Sequence, residues 1–148
     1  MIRIIRFLFP LILLAGLLFP AYQAASAQEE HDHIHATVDV KPGSDPNTIN
    51  LKSKGLVPVA LLGSASFDVT QVDTASVRFG PHQHESADAG AAAVRFNFDD
   101  ANLDGYLDLV FFFRPAETGL QPGDTEACLH GTINGEHFCG HDAVRVIG

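Results

Sequence analysis

The sequence predicts an all-β domain, a sandwich of about seven strands behind a cleavable leader. Three observations carry this. Short runs that alternate apolar and polar residues, or are wholly apolar, recur between clusters of Gly, Pro, Asn and Ser. No stretch has the apolar periodicity of an amphipathic helix. Asn134-Gly135 joins two alternating runs, and that dipeptide is a strong hairpin signal because both central residues of a type I′ turn need positive φ. About seven strands in one such chain describe an Ig-like β-sandwich.

Taken in order, Ala36, Val38 and Val40 alternate with Thr37, Asp39 and Lys41 as a half-buried strand, closed by Pro42-Gly43. Ser44 to Gly55 is a loop by composition. Leu56 to Leu62 is a continuous apolar run, and Pro58, lacking a ladder donor, places it at an edge or bulge. Phe67 to Asp73 has room for a helical turn, and Val77 to Phe79 reads as a strand before Gly80-Pro81. After a polar loop from His82 to Gly90, Val94, Phe96 and Phe98 share one face of a further strand. Tyr106 to Phe113 predicts a central strand covered on both faces. Arg114 to Asp124 is a loop, and Thr125–Ile133 and Glu136–Ile147 make the last hairpin. No internal repeat is present.

Residues 1–27 have the parts of a signal peptide: Arg3 and Arg6, an apolar run from Phe7 to Phe19, and the small-residue site Ala25-Ser26-Ala27. The run is shorter than the roughly 20 residues that span a bilayer, which disfavours a retained anchor. The expected location is periplasmic or extracellular, with no membrane insertion after cleavage. Residues 28–35 (QEEHDHIH) read as a flexible, His-rich lead-in, and 36–148 as a single domain. Beyond residue 27, seven Lys+Arg face 18 Asp+Glu, a net charge of −11. Such an acidic chain with no basic cluster argues against nucleic acid or anionic membrane as partner, leaving cations and a protein or glycan ligand.

The acidic segment Asp100-Ala101-Asn102-Leu103-Asp104-Gly105-Tyr106-Leu107-Asp108 carries the clearest chemistry. Asp100, Asn102 and Asp104 place oxygens at loop positions 1, 3 and 5. Gly105 supplies the turn at 6, the Tyr106 carbonyl falls at 7, and Asp108 at 9. Calcium takes six to eight oxygens, and this alternation aims successive oxygens at one point. The segment is not an EF-hand, because Phe111 stands where the bidentate Glu belongs. The expected role is structural, with the competing reading an acidic turn in which Asn102 and Gly105 act on conformation alone.

A two-residue turn at Asn134-Gly135 sets Cys128 opposite His141 and His130 opposite Cys139, all on one face. Cys128 and Cys139 then form either a disulfide, favoured by an oxidising compartment, or a tetrahedral zinc site with His130 and His141, disfavoured by the absence of C-x₂-C spacing. His31, His33 and His35, with His82 and His84, are further candidates for zinc or copper. No nucleophile elbow, zincin motif or phosphate loop is present, so the expectation is a non-enzymatic protein.

Val38-Asp39-Val40-Lys41-Pro42-Gly43-Ser44-Asp45-Pro46-Asn47-Thr48-Ile49-Asn50 resembles the opening VDVKPGS-PN-IN of an uncharacterised bacterial secreted module. Val57–Leu62, Val77-Arg78-Phe79-Gly80, the acidic loop with Asp108-Leu109-Val110, and Thr118-Gly119 with Gly123-Asp124-Thr125-Glu126-Ala127 continue the likeness in order over nearly all of 36–147. In that family the loop commonly reads D-x-D-G-D-G-x-x-D; here Asn102 and Leu103 replace an acid and a glycine, which lowers the ligand charge. The resemblance implies a β-sandwich on an exported or cell-surface protein with a binding or scaffolding part. The sequence thus points to a calcium-stabilised exported module, with a periplasmic zinc or copper binder as the alternative.

Overall fold

The computed structural model describes residues 32–82 and 87–148. The leader and its cleavage site, His31 and His84 lie outside the described residues. Within them the chain forms β1 (Ile34–His35), β2 (Thr37–Val40), β3 (Thr48–Asn50), β4 (Val57–Leu62), β5 (Val72–Pro81), β6 (Ala91–Ala92), β7 (Arg95–Asp99), β8 (Asp108–Phe113), β9 (Glu126–Ile133), β10 (Glu136–Ala143) and β11 (Arg145–Ile147). The seven strands of four or more residues (β2, β4, β5, β7, β8, β9, β10) are those the sequence patterning identifies. The four short ones come from segments read as loop, lead-in or strand extension. One 3-10 turn, at Val69–Gln71, falls where a helical turn is expected, started by the Asp68 carboxylate accepting from Thr70 N–H; a second, Pro115–Glu117, lies in the segment read as a loop.

The strands build a β-sandwich. One sheet has the order β1-β10-β9-β5-β6, the other β2-β4-β8-β7, and β11 pairs with β3 alongside. Period-two alternation explains the core. Val38 and Val40, Val59 and Leu61, and Leu109, Phe111 and Phe113 project from the four-stranded sheet. They meet Val77, Phe79, Leu129, Ile133 and Phe138 from the five-stranded sheet in one buried cluster. Phe79 stacks on Phe113 across the gap at 5.2 Å between ring centroids.

Four expectations are corrected. Ile34 and His35, read as part of a flexible lead-in, pair in parallel with Phe138 and Cys139. Pro58 is not on an edge strand, since β4 lies between β2 and β8. The last β2 pair is Val40 with Val59. Beyond it Lys41, at φ 53°, still donates its N–H to the Pro58 carbonyl at 2.8 Å, but its own carbonyl accepts from Ser44 N–H at 2.9 Å, so no acceptor waits for the donor that proline lacks. The strand predicted from Ala92 to Phe98 to be half-buried is exposed at every position of β7. Tyr106 and Leu107 stand in the turn before β8 and are exposed rather than covered.

The hairpin keeps its predicted register. Glu136 pairs with Ile133, Cys139 with His130 and His141 with Cys128. Asn134 (φ 51°) and Gly135 (φ 80°) both take positive φ, as a type I′ turn requires. Among the described residues no helix is long and apolar enough to cross a membrane.

Candidate metal centre

The face of the five-stranded sheet turned away from the core gathers the histidines and cysteines. Cross-strand pairing sets His35, Cys139, His130 and Arg78 in one row, and His141, Cys128 and Gly80 in the next. Leu129, Phe138 and Phe79 alternate with them and point into the core. A groove of about 530 Å³ on this face is lined by His33, His82, His130, His137, Cys139 and His141, among others. His35 packs against His33 at 4.8 Å between ring centroids. Every described histidine therefore belongs to this side of the sandwich.

Two groups in it have metal-ligand spacing. Cys128 Sγ, Cys139 Sγ and a ring nitrogen of His141 lie within 4.8 Å of one another, and so do ligand atoms of His82, Glu126 and His141. His141 belongs to both. Its Nε2 is 3.7 Å from Cys139 Sγ, while its Nδ1 is 2.9 Å from His82 Nδ1 and 4.0 Å from Glu126 Oε1. His82 Nδ1 is in turn 3.1 Å from Glu126 Oε1. One imidazole thus offers a nitrogen to the sulfurs and the other to a polar pair that orients it, the arrangement that fixes a ligating histidine in metal sites.

The two sulfurs of the expected disulfide meet, but not at bonding distance. The sulfurs lie 2.8 Å apart, beyond the 2.03–2.05 Å of an S–S bond. The twisted ribbon makes Cys128 and Cys139 diagonal rather than opposite neighbours, so they approach without the direct alignment that a longer turn would give. A tetrahedral ion at about 2.3 Å from each sulfur would hold them roughly 3.8 Å apart, a change within reach of small side-chain rotations.

Electrostatics favour the ligating protonation states. The contact with Cys128 holds the Cys139 thiol below its ordinary value, helped by the nearby His33. That same contact, with burial, pushes Cys128 up. Burial lowers His141, and the His82 ring beside it lowers it further, which keeps the imidazole neutral and able to ligate. Cysteine sulfur with the His141 imidazole is a soft, borderline donor set suited to zinc or copper(I) rather than calcium or magnesium.

His130 does not complete a Cys₂His₂ set. It is buried, 2% exposed, and its Nε2 lies 3.0 Å from the Ala89 carbonyl. Burial lowers its pKa. Glu126 and His137 are members of this face that residue-type scanning passes over. The signal for both was available in the hairpin register, because residues 126 and 137 share parity with 128 and 139.

In the acidic loop, Asp100 accepts from Asp104 N–H at 3.1 Å and from Gly105 N–H at 2.9 Å. Asp104 accepts from Tyr106 N–H at 2.9 Å and from the Asn102 amide at 3.1 Å. Leu103 (φ 58°) and Gly105 (φ 86°) make the curl. Asp108, the first residue of β8, is wholly buried. Its carboxylate takes Gly63 N–H and Ala101 N–H, each at 2.8 Å, tying the loop to the end of β4. A side chain at Gly63 would collide with the Leu107 carbonyl oxygen, so this close approach requires glycine. The carboxylates of Asp100, Asp104 and Asp108 are not among the described groups whose ligand atoms converge within 4.8 Å. No family model, curated protein or solved structure matches this chain.

Proposed function

We propose that this protein is an exported, non-enzymatic binder of a thiophilic transition metal, zinc or copper(I), held by Cys128, Cys139 and His141. The observation that carries the reading is the shared His141 ring, with Nε2 toward Cys139 Sγ and Nδ1 toward the His82–Glu126 pair. A buried thiol, a half-buried thiol and a positioned neutral imidazole supply three ligands, and the groove leaves a fourth position for water or a neighbouring histidine. The acidic balance of the chain supports a cationic ligand.

The test is zinc competition against a chromophoric chelator, using purified protein kept reduced. One equivalent binds, and Cys139→Ser and His141→Ala each weaken binding by at least about 100-fold. Unchanged affinity in both variants would rule the site out.

A second reading, calcium bound by the loop from Asp100 to Tyr106 in a structural role, is supported by the curl that brings Asp100 and Asp104 to one side of Gly105. It is compatible with the first, because the two sites use different residues and different donor chemistry.

A further inference from the structure

The edge strand β7 has no role in the metal face, yet it is the most exposed apolar element of the fold. It is the longest of the sheet-edge strands, and all five of its residues are exposed. Phe96 and Phe98 stay 45% and 46% accessible, and Val94 just before them 45%. Two usual protections of an edge are missing, since its register with β8 runs unbroken from Arg95 to Asp99 and it contains neither proline nor lysine.

Its sequence, Arg95-Phe96-Asn97-Phe98-Asp99, is self-complementary when read antiparallel. We propose that β7 pairs with β7 of a second copy about a two-fold axis at Asn97. That register sets Arg95 against Asp99 of the second copy twice over, Phe96 against its Phe98 twice over, and Asn97 against Asn97. Parallel pairing would oppose like charges, and an antiparallel slip by two residues would separate both ion pairs. An isologous contact of this kind closes as a dimer, because each β7 edge is used up by the other.

The side chains are placed for it. Arg95 stands opposite Phe112 on β8, with its guanidinium carbon 3.7 Å over the Phe112 ring. This face-on contact leaves the N–H edges of the guanidinium available to a carboxylate. Phe96 stands opposite Phe111 on the core side, the rings 5.9 Å apart, so cross-copy Phe96–Phe98 pairs would extend the core across the junction. Four half-covered rings amount to roughly 300–450 Å² of apolar surface. That is small for a protein interface, so the expected dimer is weak and reversible.

Sedimentation velocity of the purified protein from about 1 to 500 µM reads the monomer–dimer equilibrium. Arg95→Asp or Asp99→Arg alone raises the dissociation constant at least about tenfold, by replacing two ion pairs with two like-charge contacts. The doubly swapped chain, Arg95→Asp with Asp99→Arg, regains the wild-type constant within about threefold. The two single variants, each monomeric alone, form a heterodimer when mixed. Circular dichroism verifies that each variant is folded, and Phe96→Ser with Phe98→Ser provides a dissociating variant that leaves the charges alone. A wild-type chain monomeric at every concentration overturns the proposal and leaves the edge to a different polypeptide. So does a dimer that survives Arg95→Asp, or a folded double swap that stays monomeric.

Discussion

Asp108→Asn separates two roles that the sequence assigns to a single carboxylate. As a calcium ligand at loop position 9, Asp108 would matter only when calcium is bound. In the fold its side chain is wholly buried and receives two backbone N–H groups at 2.8 Å, one from Gly63 and one from Ala101. Asparagine keeps the shape but only one acceptor oxygen. One charge-assisted bond is lost, one N–H is left facing an amide NH₂, and the surviving bond loses its charge. With about 1–3 kcal/mol for an unsatisfied buried donor and a comparable figure for a hydrogen bond to a charged group, the loss comes to about 2–4 kcal/mol. Urea unfolding in excess EDTA reads it directly. With a slope of about 1–3 kcal/mol/M, the midpoint falls by roughly 1–2 M at unchanged slope. A variant within about 0.5 kcal/mol of wild type in EDTA, with a deficit emerging only on adding calcium, would refute the anchoring role and return Asp108 to the ligand set.

Phe138→Ala, which empties a fully buried position against the edge of Phe67, destabilises by about 3–5 kcal/mol in the same unfolding assay. Glu126→Gln leaves the zinc ligands in place but removes the charge beside the His82–His141 pair, and zinc affinity in chelator competition falls about 10–100-fold. Mild oxidation of metal-depleted protein joins Cys128 to Cys139 and abolishes zinc binding, while zinc-loaded protein resists; thiol counting under denaturing conditions follows both. Burial, with Asp142 nearby, raises the Asp39 carboxyl above its ordinary 3.8. The folded state therefore holds that proton more tightly than the unfolded state, and stability is lost as pH rises through the raised value. Asp39→Asn should accordingly be more stable than wild type at pH 7 and indistinguishable from it at pH 3.

The strands were legible because period-two alternation is a local property that a half-buried strand cannot avoid. The hairpin was legible to the residue, because Asn134-Gly135 dictates the turn and the turn dictates the register. That register delivered the shared face of Cys128, His130, Cys139 and His141. It could not say which diagonal the twist would close, and so left disulfide and metal site as rivals. His82 comes from β5's far end, a pairing that no local signal encodes, and its meeting with His141 needed the sheet order. Pro58 misled because the edge rule concerns a missing donor, and the relevant acceptor was removed by a turn at Lys41, on another strand. Val94, Phe96 and Phe98 announced a strand correctly, but alternation does not reveal whether the opposing sheet extends far enough to cover it. In the acidic loop, the inward turn of Asp108 depends on Gly63, 45 residues earlier, which no local spacing encodes.

The most direct measurement of the central claim is a cobalt(II) titration of the reduced protein followed by absorption, since cobalt takes zinc's place and reports its ligands. The account predicts saturation at one equivalent, with a thiolate-to-cobalt charge-transfer band and the intense visible bands of a tetrahedral site. Cys139→Ser should lose most of the charge transfer, and His141→Ala should bind far more weakly. A weak, octahedral spectrum without charge transfer, or one unchanged by both substitutions, would contradict a centre built from Cys128, Cys139 and His141.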